Sequence, residues 1–222
     1  MTTTSAQVSS ASSSSPSPSP GASPQHALVA SRELSSLIKA GGDPQVLAAY
    51  LDAMQVQARI AAVRTLSRKA LGELFQHCAN TAPLRLDEFL PAAVSVGKTE
   101  IFSGLNSLPL FRKFEKRFAR TSRGTIIGFN FQLMSFLTGP GYFMVEQAAN
   151  ELLIDYTKVP TQEQVPAGWP KVKPNDRGLS NFVYKNMHDF LRRVSRDVAI
   201  GQATRLGQPI HQYFVLVRGA VA

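Results

Sequence analysis

One cysteine, Cys78, stands in 222 residues, so no internal disulfide can form and no cysteine-rich zinc site can be built. A disulfide-stapled secreted scaffold is thereby excluded. No apolar run approaches the roughly 20 residues that span a bilayer, so an integral membrane protein is not expected. No charged side chain precedes Arg32, and the opening MTTTSAQVSSASSSSPSPSPGASP has neither the basic n-region nor the apolar h-region of a secretory signal, which points to a cytoplasmic location. Catalytic signatures are missing too. There is no P-loop, GxSxG, HExxH, CxxC or glycine fingerprint between a strand and a helix. The GPG of TGPGYF reads as a turn, because Pro140 lacks the donor that a phosphate cradle needs there. No motif names an activity, and no cofactor or metal is expected.

What the chain has is 44% hydrophobic and 18% charged residues, the make-up of a globular domain with a core. Its 24 Lys and Arg exceed its 15 Asp and Glu, giving +9. Much of that excess is local: Arg112, Lys113, Lys116, Arg117, Arg120 and Arg123 face only Glu115. A non-specific, weak polyanion contact is the partner this stretch would suit, with alternate residues on opposite sides of a strand.

Three parts follow from the patterning. Residues 1–24 are a Ser/Pro-rich arm with almost nothing to bury, expected to be disordered. Residues 25–82 carry helical periodicity. Leu34, Leu37 and Ile38 end a first helix at the Gly41-Gly42 cap, and Asp43-Pro44 begins the next. From there to about Asn80 we expect two helices, or one with a bend, with Arg59, Arg64, Arg68 and Lys69 mostly off the apolar face. Cys78 ends an apolar stripe as a small core residue.

From about Val94 alternation of period two replaces the helical period. After a helical turn over Leu108–Phe114, strands are expected near Lys116–Thr121, Thr125–Leu133, Tyr142–Glu146, Glu151–Tyr156, Asp189–Ser195, Val198–Thr204 and Gln212–Arg218. Such a series, over residues 94–222, fits an up-and-down barrel or a strongly curved sheet. The Pro-rich stretch from Val159 to about Tyr184 holds the only tryptophan and is too long for a hairpin.

Candidate chemistry lies in the strands. His188 with Asp155 or His211 could pair across strands, and Asp155-Tyr156 places a carboxylate beside a phenol. Of Arg192 and Arg193, neighbours in a strand, one faces inward and needs a buried carboxylate or an anionic ligand.

Asp189, Leu191, Arg192, Arg193, Val194, Ile200, Gly201, Tyr213, Phe214 and Leu216, with TGPGYF and LLIDYTKVP upstream, form a pattern that resembles bacterial lipocalin-like β-barrel domains of unknown function. The resemblance covers roughly Phe111 to Arg218. Related families carry GxWxG in an early strand, whereas this chain has GTIIGFN, with Gly124 and Gly128 and no tryptophan between them. The resemblance implies a barrel with an internal apolar cavity and no established activity.

The expected architecture is therefore α+β, an N-terminal helical region followed by an antiparallel lipocalin-like β-barrel. The expected function is non-catalytic binding of a small apolar or amphipathic molecule. Phe129, Phe131, Phe143, Ile154, Tyr213 and Val215 are candidate lining residues, and Arg192 or Arg193 a candidate for an acidic head group. A cyclase- or isomerase-like enzyme would instead use His188, Asp155 and Tyr156 in that cavity. A docking protein would use the basic stretch.

Overall fold

The computed structural model describes residues 24–131 and 139–221, and the expected Ser/Pro-rich arm, Pro24 apart, lies outside them. Helices α1 (Pro24–Lys39), α2 (Pro44–Asp52), α3 (Val56–Val63) and α4 (Arg68–His77) are followed by the short α5 (Leu86–Phe89). Strands β1 (Glu100–Asn106), β2 (Lys113–Arg120), β3 (Ile126–Phe131), β4 (Tyr142–Ala148) and β5 (Glu151–Asp155) come next, then α6 (Ser180–Tyr184), β6 (Met187–Arg193), β7 (Val198–Arg205) and β8 (Gln208–Arg218). None of the described helices is long and apolar enough to cross a membrane.

The Asp43 carboxylate accepts from the Gln45 backbone N–H at 2.8 Å, and Pro44 occupies the first turn of α2, where a missing donor costs nothing. Asp43→Ala is expected to lower stability by about 1 kcal/mol, read as a shift of the urea unfolding midpoint at unchanged slope.

Three helices stand where two, or one with a bend, were expected between Pro44 and Asn80. Arg59 accounts for the first break. Its guanidinium donates to the carbonyls of Leu51 at 2.8 Å and Met54 at 3.0 Å, acceptors that a continuing helix would have used. Nor is Arg59 a solvated residue off the apolar face: it is buried and pairs with Asp197 of the β6–β7 turn at 2.9 Å. Cys78 is buried, and its thiol is pushed up to about 12 by desolvation.

All eight strands are antiparallel and neighbours in sequence are neighbours in space, with β8 closing on β1. The architecture is a closed up-and-down barrel with a few helices, compatible with a lipocalin-like fold. The first strand, Glu100–Asn106, had not been expected, and Leu108–Phe114 is a loop running into β2 rather than a helical turn. The expected end of the Thr125–Leu133 strand falls beyond Phe131, outside the described residues.

Alternation divides each strand between two cores. Outward residues of β1, β7 and β8, among them Leu105, Ile200, Val215 and Val217, pack with Leu34, Ile38, Leu71 and Leu74 of the helices. Inward residues pack with Leu84, Phe89 and Leu90, which stop one end of the barrel. At that end Phe89, Phe102 and Phe118 have ring centroids 4.7 to 5.0 Å apart. The long connection after β5 lies on the outer wall. Trp169 sits 4.8 Å from Phe129, its indole N–H donating to Thr99 Oγ1 at 2.8 Å.

Candidate functional site

Phe114, Lys116 and Phe118 alternate along β2, so all three point into the barrel, and Lys116 thereby brings an ammonium into the interior. Phe118 belongs to the stopped end. Around Lys116 the other strands supply acceptors. Asn130 stands directly opposite on β3 and accepts from Lys116 Nζ at 2.8 Å, Asp189 Oδ2 of β6 lies 3.3 Å away, and the Tyr156 hydroxyl closes the set. The Tyr156 hydroxyl donates to Asp189 at 3.0 Å. Each of these four side chains is buried.

Burial sets the electrostatics. Desolvation lowers Lys116 from its ordinary value, opposed by the Asp189 charge, and raises Asp189, opposed by Lys116. Desolvation also pushes the Tyr156 phenol well up, helped by the neighbouring carboxylate. Aromatic faces replace part of the lost hydration: Lys116 Nζ lies 4.9 Å from the Phe143 ring centroid, 5.0 Å from Tyr156, 5.1 Å from Phe214 and 5.9 Å from Phe114.

Three of those rings owe their position to glycine. In the barrel register Gly104 faces Phe114, Gly128 faces Phe143 and Gly201 faces Phe214. A Cβ on Gly104 or Gly128 would come within 2.5 Å of the facing ring, so each phenylalanine lies across the space left by a missing side chain.

Beyond the cluster the described residues leave the interior unfilled. A cavity of about 470 Å³ extends from Lys116, Asn130, Tyr156 and Asp189 towards the end opposite α5. Phe114, Tyr184, Met187 and Phe214 are among its walls, and Leu108, Phe182 and Gln212 stand exposed at its rim. Arg205, inward on β7, also lines it. Its Nη2 donates to the carbonyls of Phe182 and Val183 at 3.1 and 3.0 Å, and its Nε, shielded from solvent, has no partner among the described residues.

The residues singled out from sequence are divided by the wall. Tyr156 and Phe143 are inside, at the lysine cluster. Ile154 is inside, in the filled part, and Val215 outside beneath the helices. Asp155 and His188 do meet, at 3.2 Å, but outside the barrel, where Asp155 also accepts from Thr157 N and Oγ1 at 2.8 and 2.6 Å. They are thus separated from Tyr156. Phe129 faces outward to Trp169, and Phe131 is exposed, with the Arg117 guanidinium 3.9 Å from its ring centroid. Tyr213 packs on Phe75 of the helices and touches the cavity at its rim.

Neither arginine of the Arg192-Arg193 pair reaches the cavity. Arg192 points outward, pairing with Glu151 at 2.5 Å and lying 3.8 Å from the Phe75 ring centroid. Arg193 ends the inward row at the stopped end, bound to Glu88 and, at 2.9 Å, to the Pro83 carbonyl. The basic stretch is likewise split: Lys116 is interior, Arg112 donates to the Leu66 carbonyl at 2.8 Å, Arg117 pairs with Glu115 at 3.1 Å, and Arg120 donates to the Leu90 carbonyl. Lys113 and Arg123 are exposed at opposite ends of the barrel.

Sequence reasoning missed Lys116, Asn130, Asp189 and Arg205 as members of the site. The signal for Lys116 was present: a lysine flanked at period two by Phe114 and Phe118 sits in an inward row, not in a surface patch. No comparable local cue marks Asn130 or Arg205. No protein-family model, curated protein or solved structure matches the chain. Among the described residues no group of three His, Cys, Asp or Glu side chains is placed to hold a metal ion.

Proposed function

We propose that the protein binds a small amphipathic molecule inside the barrel, apolar part against Phe114, Tyr184, Met187 and Phe214 and polar head towards the charged groups of the cavity. The observation that carries this reading is the open cavity of about 470 Å³, within the range of small-molecule sites, whose apolar walls end on a few convergent polar groups. The resemblance to lipocalin-like domains supports it. Lys116 and Arg205 are two cations on the cavity wall against the one carboxylate of Asp189, so an acid is favoured over an amine. The histidine–carboxylate contact on which an enzyme using His188 and Asp155 would rest lies outside the wall, which supports recognition over that reading.

Titration with an apolar fluorescent probe, followed by displacement with a medium-chain fatty acid and the matching alcohol, tests the reading. The folded protein should take up the probe and release it to both competitors. Arg205→Gln should weaken the acid by roughly 1.5–3 kcal/mol, about 10-fold to 150-fold, and the alcohol hardly at all. No uptake by folded protein, or equal competition by acid and alcohol before and after the substitution, refutes it.

A further inference from the structure

The loops that surround the cavity mouth carry large apolar side chains out into water. Leu110 is 69% exposed and Phe111 56% in the β1–β2 loop, Phe182 is 72% exposed in α6, and Leu206 is 73% exposed in the β7–β8 turn. All three segments lie at the barrel end opposite α5. Leu206 N donates to the Asn186 carbonyl at 3.0 Å, just after α6, and Leu108 of the β1–β2 loop and Phe182 of α6 line the same cavity.

Two of these side chains are displayed against the preference of the backbone. Phe111 has φ 54° and Leu206 φ 52°, in the left-handed region that costs a residue with a Cβ. Leu206-Gly207 closes a two-residue hairpin with both φ positive, where Asn-Gly is the favoured pair. A leucine there adds nothing to the turn and buries nothing in the fold. Strained positions of this kind mark places where the side chain serves something other than folding.

The charge around the mouth indicates what covers these residues. In segments 106–113, 176–186 and 205–212 the charged residues are Arg112, Lys113, Arg177, Lys185 and Arg205 against Asp176 alone. Arg205 is turned into the cavity and Arg112 to the Leu66 carbonyl, which leaves Lys113, Arg177 and Lys185 exposed at the rim against Asp176. Such a rim repels a second copy of itself and attracts an anionic surface. Apolar tips within a basic ring are the elements that hold a protein at a bilayer interface, the tips entering the headgroup region and the cations meeting acidic lipids.

We infer that the open end of the barrel docks on an anionic lipid bilayer, with Leu110, Phe111 and Leu206 inserted and the cavity mouth facing the lipid. This rests on the reading of the cavity as a site for an amphiphile and adds its source, since a molecule held in a membrane could enter the barrel without crossing water.

The test is co-sedimentation of the full chain with vesicles of phosphatidylcholine alone and of phosphatidylcholine with about one-third phosphatidylglycerol, at low and high salt. Binding to the anionic vesicles, weakened by salt, is expected. The double variant Phe111→Asn, Leu206→Asn places at both positions a residue that tolerates the left-handed backbone, so its thermal midpoint should rise or hold. Its vesicle binding should fall roughly tenfold or more, because the inserted apolar area is lost. Lys113→Glu with Lys185→Glu should abolish the preference for anionic vesicles. Soluble-probe affinity, measured without vesicles, should be unchanged in all of them, since none of these four residues lines the cavity. Equal vesicle binding by wild type and the asparagine variant, no binding by either, or a self-associated wild type that the variant converts to monomer would overturn docking on lipid. A protein that binds vesicles but takes up no probe would retain the docking surface and lose the cavity reading.

Discussion

Lys116→Met is expected to destabilise the protein by about 3–5 kcal/mol near neutral pH, because it leaves the Asp189 carboxylate buried with its counter-charge removed. The loss should depend on pH in a direction the geometry sets. In the native protein desolvation raises Asp189 above its ordinary 3.8 and the Lys116 charge opposes the rise. Without Lys116 the upward shift grows. An acid raised in the folded state stabilises the fold while both states are protonated and loses that contribution as pH climbs from the unfolded value through the folded one. The variant should therefore be least impaired near pH 4 and most impaired near pH 8, by roughly the full 3–5 kcal/mol, as measured by urea unfolding across that range. A pH-independent loss would mean that Asp189 gains no burden from losing its partner. Lys116→Met with Asp189→Leu should recover most of the stability, since replacing both members of a buried ion pair by apolar groups is often close to neutral.

Gly128→Ala should be nearly as damaging. The added Cβ would lie 2.5 Å from both the Arg117 carbonyl oxygen and the Phe143 ring, and the former, being backbone of the adjoining strand, cannot swing aside. Overpacking of a core costs about 1–3 kcal/mol where side chains can adjust, and the upper end or beyond is expected here. The same change forces the Phe143 ring from its place 4.9 Å from Lys116 Nζ, and Lys116 does line the cavity, so apolar-probe affinity should fall with stability. Gly97→Ala offers a control of a different kind: nothing lies within 4 Å of its Cβ, and only the φ of 74° opposes it. Its cost should be smaller and should leave probe binding alone. If Gly128→Ala proves harmless, the facing pairs of glycine and phenylalanine do not set the shape of the interior.

The two cases differ in what the chain displays locally. Asp43-Pro44 announces a helix start because a cap and a fixed φ are properties of adjacent residues, and the structure places α2 there. Most of the strands are similarly readable from alternation. β1 escapes this reading because Ser103 and Gly104 interrupt the apolar signal of Phe102 and Leu105, and its identity comes from pairing with β2 and β8. The helical reading of Leu108–Phe114 failed for another reason. Phe114 and Phe118 are four apart, a spacing that fits the helical period and the strand period alike, and only the ladder with β1 and β3 decides between them.

Legible in the chain alone were the capped helix start, the alternation of most strands, the lone cysteine at the end of an apolar stripe and the concentration of charge between Arg112 and Arg123. Tertiary structure alone decided which charge is inside. Lys116, Asn130, Tyr156 and Asp189 lie on separate parts of the chain and meet because eight strands close in one register, which sends Lys116 into the interior and Arg117 to the outer face. A shift of one residue in that register would exchange the two faces of β2. The fate of Arg192 and Arg193 was decided the same way, by helix α4 on one side of the wall and the plug at Glu88 on the other. A local pattern shows that one of two neighbouring residues faces inward, but the partner waiting there is supplied by residues far away in sequence.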